Sequence, residues 1–369
     1  MKKKYIIFSI VTLVLLVSFL SYSKYLKTTN VCKEDVKPTK ITKGISMNLE
    51  QTAGAGDYKT VTQSSWPTKG YKFNAELSRC ENGSTLSWDD TKKAVIMQGN
   101  VSDKCYVYFD KILTLAEYVI SQYTGTQGDN ALYYHNSTLT NGAGDNSYRY
   151  AGASDSVNNY ICLGSDATTC PEANLFRIIG VFGDQTKVIR AKSVGDKQWH
   201  TSPNNTWSSS SLNTYLNGEY LTSLGTIAEK IATTTWKVGG RSSTYLYDVP
   251  TTAYQYEVGS SASTTTYDAK IGLMYVSDYG FAADQSGWTT KLGSYGSNSS
   301  KNWLYLGSFE WTISCDSDRT YGAFSVNSAG HVDGSGVGSS IGVRPSFNLE
   351  SSVKYVSGSG SMSDPVRVN

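Results

Sequence analysis

Several groups of residues in this chain have types and spacings that could do chemistry. The run Asp316-Ser317-Asp318-Arg319, just after Trp311, combines two carboxylates, a guanidinium and an aromatic ring. Such a mixture suits the recognition of a polar ligand from several sides. With Asp278 and Asp284 the same acids form an oxygen-only set of the kind calcium takes. No complete calcium loop accompanies them, and aspartates among Gly and Ser close turns on their own backbone. Glu257 and Glu310 are the acids available for glycoside hydrolysis, which needs a pair about 5–9.5 Å apart. His135, His200 and His331 lie far apart in sequence, and no Gly-x-Ser-x-Gly elbow is present to mark a serine nucleophile.

Six cysteines stand at 32, 80, 105, 162, 170 and 315. None forms a Cys-x-x-Cys pair, and the histidines offer no zinc-ligand spacing, so no metal or cofactor is expected. Disulfides are the better reading for an exported chain. Cys80–Cys105 and Cys162–Cys170 are the expected bridges: both are local and flanked by strand or turn signals. The first closes a loop whose restraint stabilises by roughly 3 kcal/mol. Cys32 and Cys315 remain, either with one free or with both paired to other chains.

These residues must be positioned by a chain whose composition favours strands and polar loops. Only 17% of the 369 residues are charged, Gly numbers 34, and Tyr numbers 27 against 10 Phe. A net charge of +2 argues against nucleic acid as a partner, since such binders carry a basic face. Tyr245, Tyr247, Tyr254, Tyr256, Tyr267, Trp288 and Tyr295 crowd a loop-rich insert over 240–300. Aromatic rings with Ser, Gly and Asn make rigid yet adaptable contact surfaces; alternating tyrosines can equally be the solvated faces of exposed strands.

Along the chain, Lys2-Lys3-Lys4 precedes an apolar run, and residues 5–22 are expected to meet the membrane. Residues 1–27 read as a signal anchor with the rest outside, or as a cleaved signal peptide. Residues 28–43 read as a stalk, 44–110 as a small disulfide-stapled β module, and 111–158 as a helical connector and loop. The main domain covers 159–350, followed by a tail over 351–369. Phe176–Phe182 and Lys187–Arg190 are strand-like runs joined by Gly183-Asp184, a hairpin signal. Leu212, Tyr215, Leu216, Tyr220, Leu221 and Leu224 put an apolar stripe on one helix face behind a serine cap. Residues 271–276 read as a buried strand. Tyr321–Val326 alternates as a strand, and Gly342-Val343-Arg344-Pro345 closes the domain, with Arg344 expected to pair with a carboxylate or carbonyls.

The segments Trp207 to Asn217, Trp311 to Asp318, Gly330-His331-Val332 and Gly342-Val343-Arg344-Pro345 together resemble a bacterial family of uncharacterised domains. Members of that family carry a Trp-x-x-Ser-x-Leu-x-x-Trp-Leu-Asn helix and a closing Gly-Val-Arg-Pro. Here Tyr215 replaces the helix tryptophan, and Thr312 to Cys315 replaces the family's Leu-Arg-Ser-Pro. Residues 77–110 resemble a module that precedes this domain in surface proteins of Firmicutes. More distantly, the domain resembles the C-type-lectin-like fold shared with formylglycine-generating enzymes, whose oxidising cysteine pair and copper chemistry have no matching residues here. The resemblance implies a platform displaying variable loops and carries no activity.

The expected fold is α+β: an N-terminal transmembrane helix, a small β module, and a β-rich C-type-lectin-like domain with one or two helices. The expected function is recognition of an extracellular glycan or protein at the cell surface, without catalysis, through Trp311, Asp316, Asp318 and Arg319. The rivals are a cell-envelope hydrolase or modifying enzyme and a structural spacer. The turns Ser314–Thr320 and Gly330–Asp333 should lie at opposite ends of a hairpin, so one of them faces the ligand. The charged end is the expected one.

Overall fold

A computed structural model describes the backbone of residues 33–35 and all of residues 44–62, 65–67 and 70–369. The expected membrane segment over 5–22 and Cys32 lie outside them. The chain divides into two compact units, one ending at Ile112 and one spanning Leu113–Asn369.

In the first unit a four-stranded sheet runs in the order Tyr58–Val61, Ile45–Glu50, Cys105–Lys111, Tyr71–Cys80. A three-stranded sheet contains Lys33–Asp35, Ala94–Gln98 and Thr85–Asp89. Cys105–Lys111 alternates buried and half-buried positions, as the period-two pleat requires. Val107 and Phe109 thereby meet Met47, Leu49, Trp66 and Val95 in one core. Cys80 stands directly opposite Cys105 in the antiparallel register, and the two are disulfide-bonded. Their Cα atoms are 4.0 Å apart, tighter than the usual range of about 4.4–6.8 Å, because the register already fixes them face to face.

The second unit is built on a nine-stranded sheet. Its path runs Ile271–Gly272, Ser346–Leu349, Gln185–Arg190, Leu175–Phe182, Tyr160–Cys162, Val366–Val368, Tyr355–Ser357. The expected hairpin is present: Leu175–Phe182 and Gln185–Arg190 pair antiparallel around Gly183, whose φ of 65° suits glycine. Both strands are buried on both faces. Residues 351–369 complete this sheet through Tyr355–Ser357 and Val366–Val368. Residues 113–158 supply the helix Leu115–Ser121, capped by Thr114 and Glu117, and the strands Leu132–Tyr134 and Tyr148–Tyr150. Cys162 is bonded to Cys170, with Cα atoms 5.9 Å apart.

A five-stranded sheet follows the order Asp196–Gln198, Ser340–Gly342, Glu310–Cys315, Gly322–Val326, Val332–Gly336. It holds Trp311, Ile313, Phe324 and Val326 in the core shared with the large sheet. Arg344 lies beneath it at 1% exposure. Its Nε and Nη2 donate to Glu310, the Nη2 bond being 2.9 Å, and Nη2 also reaches the Leu304 carbonyl. Burial raises the Glu310 carboxyl pKa while the Arg344 charge opposes the rise.

The expected fold needs correction in three respects. Among the described residues no helix is long and apolar enough to cross a membrane. The second unit carries several short helices in place of one or two. The longest described α-helix is the 8-residue Pro250–Glu257, because Gly, Ser and Pro interrupt each apolar stripe. The expected helix over 212–224 runs as Ser211–Tyr215, a wider turn Leu216–Tyr220 and Leu221–Ser223, and Gly225, with φ of 54°, ends it. Ser210 caps it by accepting from the Asn213 amide. The nine-stranded sheet also departs from the small-sheet, lectin-like platform that was expected. Within the 271–276 run, the strand stops at Gly272 and helix Val276–Phe281 begins, since the Asp278 carboxylate accepts from the Tyr275 amide.

Candidate functional site

The two turns lie as expected, one at each end of the Gly322–Val326 strand. At the first, the four expected ligand residues do not share one surface. Trp311 is 1% exposed, and its indole N–H donates to the Lys197 carbonyl at 2.9 Å, so it belongs to the core. Asp316 is 0% exposed and ties its own turn by accepting from the Asp318 amide and Arg319 Nε, each at 2.9 Å. Asp318 reaches the surface but is engaged by Ser242 Oγ, the Ser243 amide and Ser243 Oγ. These bonds dock the short helix Ser243–Leu246. The Arg319 side chain is open as well, at 45% exposure.

Arg319 leads to the other end of the sheet. A Cβ on Gly334 would lie 2.7 Å from Arg319 Nη2 and 3.0 Å from Tyr247 Oη. Glycine at this strand position therefore permits the close approach of both groups. Tyr247 is half-buried, packed edge-on against Phe324 with centroids 5.6 Å apart. Burial and the neighbouring Asp333 charge raise the pKa of its hydroxyl.

Beyond Tyr247 opens a groove of about 550 Å³, lined by Tyr247, Lys291, Ser294, Asn327, His331 and Asp333 among others. Its floor is fixed by the turn between Gly322–Val326 and Val332–Gly336. Asn327 Oδ1 accepts from the Ala329 and His331 amides, and Gly330 takes the positive φ of 85° that the turn needs. Tyr279 and Tyr305 anchor the same turn by donating to the Gly330 and Ser328 carbonyls. His331 Nδ1 accepts from the Gly296 amide at 3.2 Å. Asp333 is exposed and accepts from the Gly334 amide at 2.8 Å. The groove thus offers an aromatic wall, a carboxylate and an ammonium. That set can orient a polar ligand that also has an apolar face.

The candidate catalytic groups are engaged elsewhere. Glu257 is 7% exposed and accepts from the Val276 and Ser277 amides, each at 2.9 Å. Burial pushes its pKa up to about 7. Glu310 is bound by Arg344. His135 is fully buried between Phe281 and Trp288, accepts from the Ala143 amide, and is held well below its ordinary pKa by burial. His200 Nδ1 accepts from the Ser202 amide. Asp284 closes its own turn onto Ser286. Cys315 is a buried free thiol whose pKa burial raises to about 11. In the insert, Trp288 and Tyr295 are core residues at 0% exposure. Tyr245 and Tyr256 stack on each other, with centroids 3.7 Å apart.

Sequence reasoning named Tyr247, His331 and Asp333 without joining them, and passed over Lys291, Ser294 and Asn327, whose types are ordinary in loops. It also passed over Lys187. The available signal was a lysine standing inside an apolar strand run, paired in space with Asp278 and flanked by Arg149.

Residues 183–351 match a family model described as "Domain of unknown function (DUF6273)", and every groove residue falls inside this span. The paired strand Leu175–Phe182 and the strands Tyr160–Cys162 and Val366–Val368 fall outside it, although they belong to the same sheet. No curated protein and no solved structure matches the chain.

Proposed function

We propose that the second unit is a carbohydrate-recognition module, working outside the cytoplasm, that binds extracellular glycan in the Tyr247–Asp333 groove. The observation that carries this reading is the groove itself: about 550 Å³, open to solvent, and lined by a half-buried tyrosine, a carboxylate and an ammonium. A sugar ring has an apolar C–H face and a rim of hydroxyls. Tyr247 suits the face, while Asp333 and Lys291 suit the rim by accepting and donating hydrogen bonds. A pocket of this size lies within the usual range of about 300–1,000 Å³ for small-ligand sites. The two disulfides support an oxidising compartment. The hydrolase alternative gains nothing from the groove, because Glu257 and Glu310 are occupied by backbone amides and by Arg344.

The test is a glycan array probed with the whole chain and with Tyr247→Ala. Binding to a defined set of oligosaccharides that disappears in the variant is the expected result. An array without hits, or hits retained by the variant, rejects the reading.

A further inference from the structure

The strand Gln185–Arg190 carries a lysine at a position covered on both sides. Lys187 is 5% exposed and Asp278 3%, and Lys187 Nζ lies 2.5 Å from Asp278 Oδ2. The rings of Tyr275, Trp236 and Phe182 surround the amine, their centroids 4.7, 5.4 and 5.7 Å from Nζ. Desolvating both partners offsets much of the attraction between a buried ammonium and carboxylate. Transfer of one proton from Nζ to the carboxylate removes both charges and leaves a neutral amine against a carboxylic acid. The geometry points to a covalent outcome: we infer that Lys187 Nζ and Asp278 Cγ become joined by an intramolecular amide bond formed within the folded chain.

The step balances without any co-reactant. After the proton transfer, the nitrogen lone pair attacks Cγ and forms the C–N bond. The nitrogen then gives up a second proton to the departing hydroxyl. The C–O bond breaks, and one water leaves. Nothing is oxidised or reduced.

The surroundings supply what this condensation needs. A nitrogen 2.5 Å from Oδ2 is held close to the near-attack separation of about 3–3.5 Å from the carbon that carries that oxygen. The Tyr275 amide donates to Oδ2 at 2.8 Å, and Arg149 Nη1 lies 3.7 Å from Oδ1. Both are placed to stabilise negative charge on oxygen in the tetrahedral intermediate. Arg149 is itself held by Asp145 at 2.6 Å and by Ser147. Glu257 is a positioning residue, fixing the Val276 and Ser277 amides immediately before Asp278. Burial excludes the water that would reverse the reaction.

Other ion pairs of the described residues lack one of these conditions. Lys192–Glu172 is open to water, with each side chain 62% exposed. Arg344–Glu310 is buried, but a guanidinium is a poor nucleophile because it stays protonated.

The experiment is tandem mass spectrometry of the full chain, reduced and then digested with trypsin. The expected product is a branched peptide containing Lys187 and Asp278, lighter by one water than its two linear peptides together, with no cleavage after Lys187. Recovery of both residues in separate linear peptides shows an ion pair only and overturns the inference. Lys187→Arg keeps the positive charge without a primary amine, so the branched peptide should vanish. If Asp278 remains branched in that variant, its partner is another amine and the assignment fails. A variant that does not fold leaves the wild-type digest decisive.

Discussion

Arg319 and Tyr247, far apart in sequence, converge on one backbone position: a Cβ at Gly334 would sit 2.7 Å from the guanidinium and 3.0 Å from the phenol oxygen. The convergence links the charged turn at one end of the Gly322–Val326 strand to the groove at its other end.

Gly334→Ala should weaken glycan binding more than it weakens the fold. The inserted methyl meets the far ends of two side chains rather than backbone, so unfolding free energy should fall by less than about 1 kcal/mol. Thermal melts together with titration calorimetry check this. A large loss of stability with unchanged affinity contradicts it.

Asp316→Ala should act on the fold. The carboxylate is fully buried and holds both the Asp318 amide and Arg319 Nε. Leaving these donors without their acceptor costs about 1–3 kcal/mol, even though Arg319 is partly solvated. Denaturant unfolding should show a lower midpoint. An unchanged midpoint means the turn is held by other bonds.

Stability should depend on pH through Glu257. Its folded pKa of about 7 lies above the ordinary value of 4.5, so the folded state binds the proton more tightly than the unfolded chain. The contribution, a few kcal/mol at most, is fully present below about 4.5 and is lost as pH rises through about 7. Wild-type melts between pH 5 and 8 should therefore decline relative to Glu257→Gln, which cannot ionise. Parallel curves for the two proteins refute this assignment.

Much of the architecture was legible in the sequence, for identifiable reasons. Period-two alternation located Cys105–Lys111, because a half-buried strand forces that pattern; Gly322–Val326 alternates in sequence as well, although it is buried on both faces. Gly183-Asp184 marked its hairpin, and both local disulfides followed from spacing. Arg344 before Pro345 was read as a structural cation, and its partner is Glu310. Run 271–276 misled because a short apolar stretch has no period that separates strand from helix; a single side-chain cap, Asp278, decides it. Trp311 and Asp316 were misassigned as ligand residues because composition does not report burial. A tryptophan beside two aspartates looks the same whether it faces solvent or, as here, is buried with its N–H donating to the Lys197 carbonyl. The groove was not legible, because Tyr247, Lys291 and His331 meet only after three separate segments have folded.

The central claim is that Tyr247 forms the wall of a glycan site. It is tested most directly by titrating an array-selected oligosaccharide into wild type, Tyr247→Ala and Asp318→Ala. Removal of the ring should weaken binding about tenfold or more, equivalent to about 1.4 kcal/mol, with the folded fraction unchanged. Asp318→Ala, which loosens the Ser243–Leu246 helix that leads into Tyr247, should weaken binding less than removal of the ring does. Equal affinity of Tyr247→Ala and wild type, or loss of binding confined to Asp318→Ala, contradicts the account.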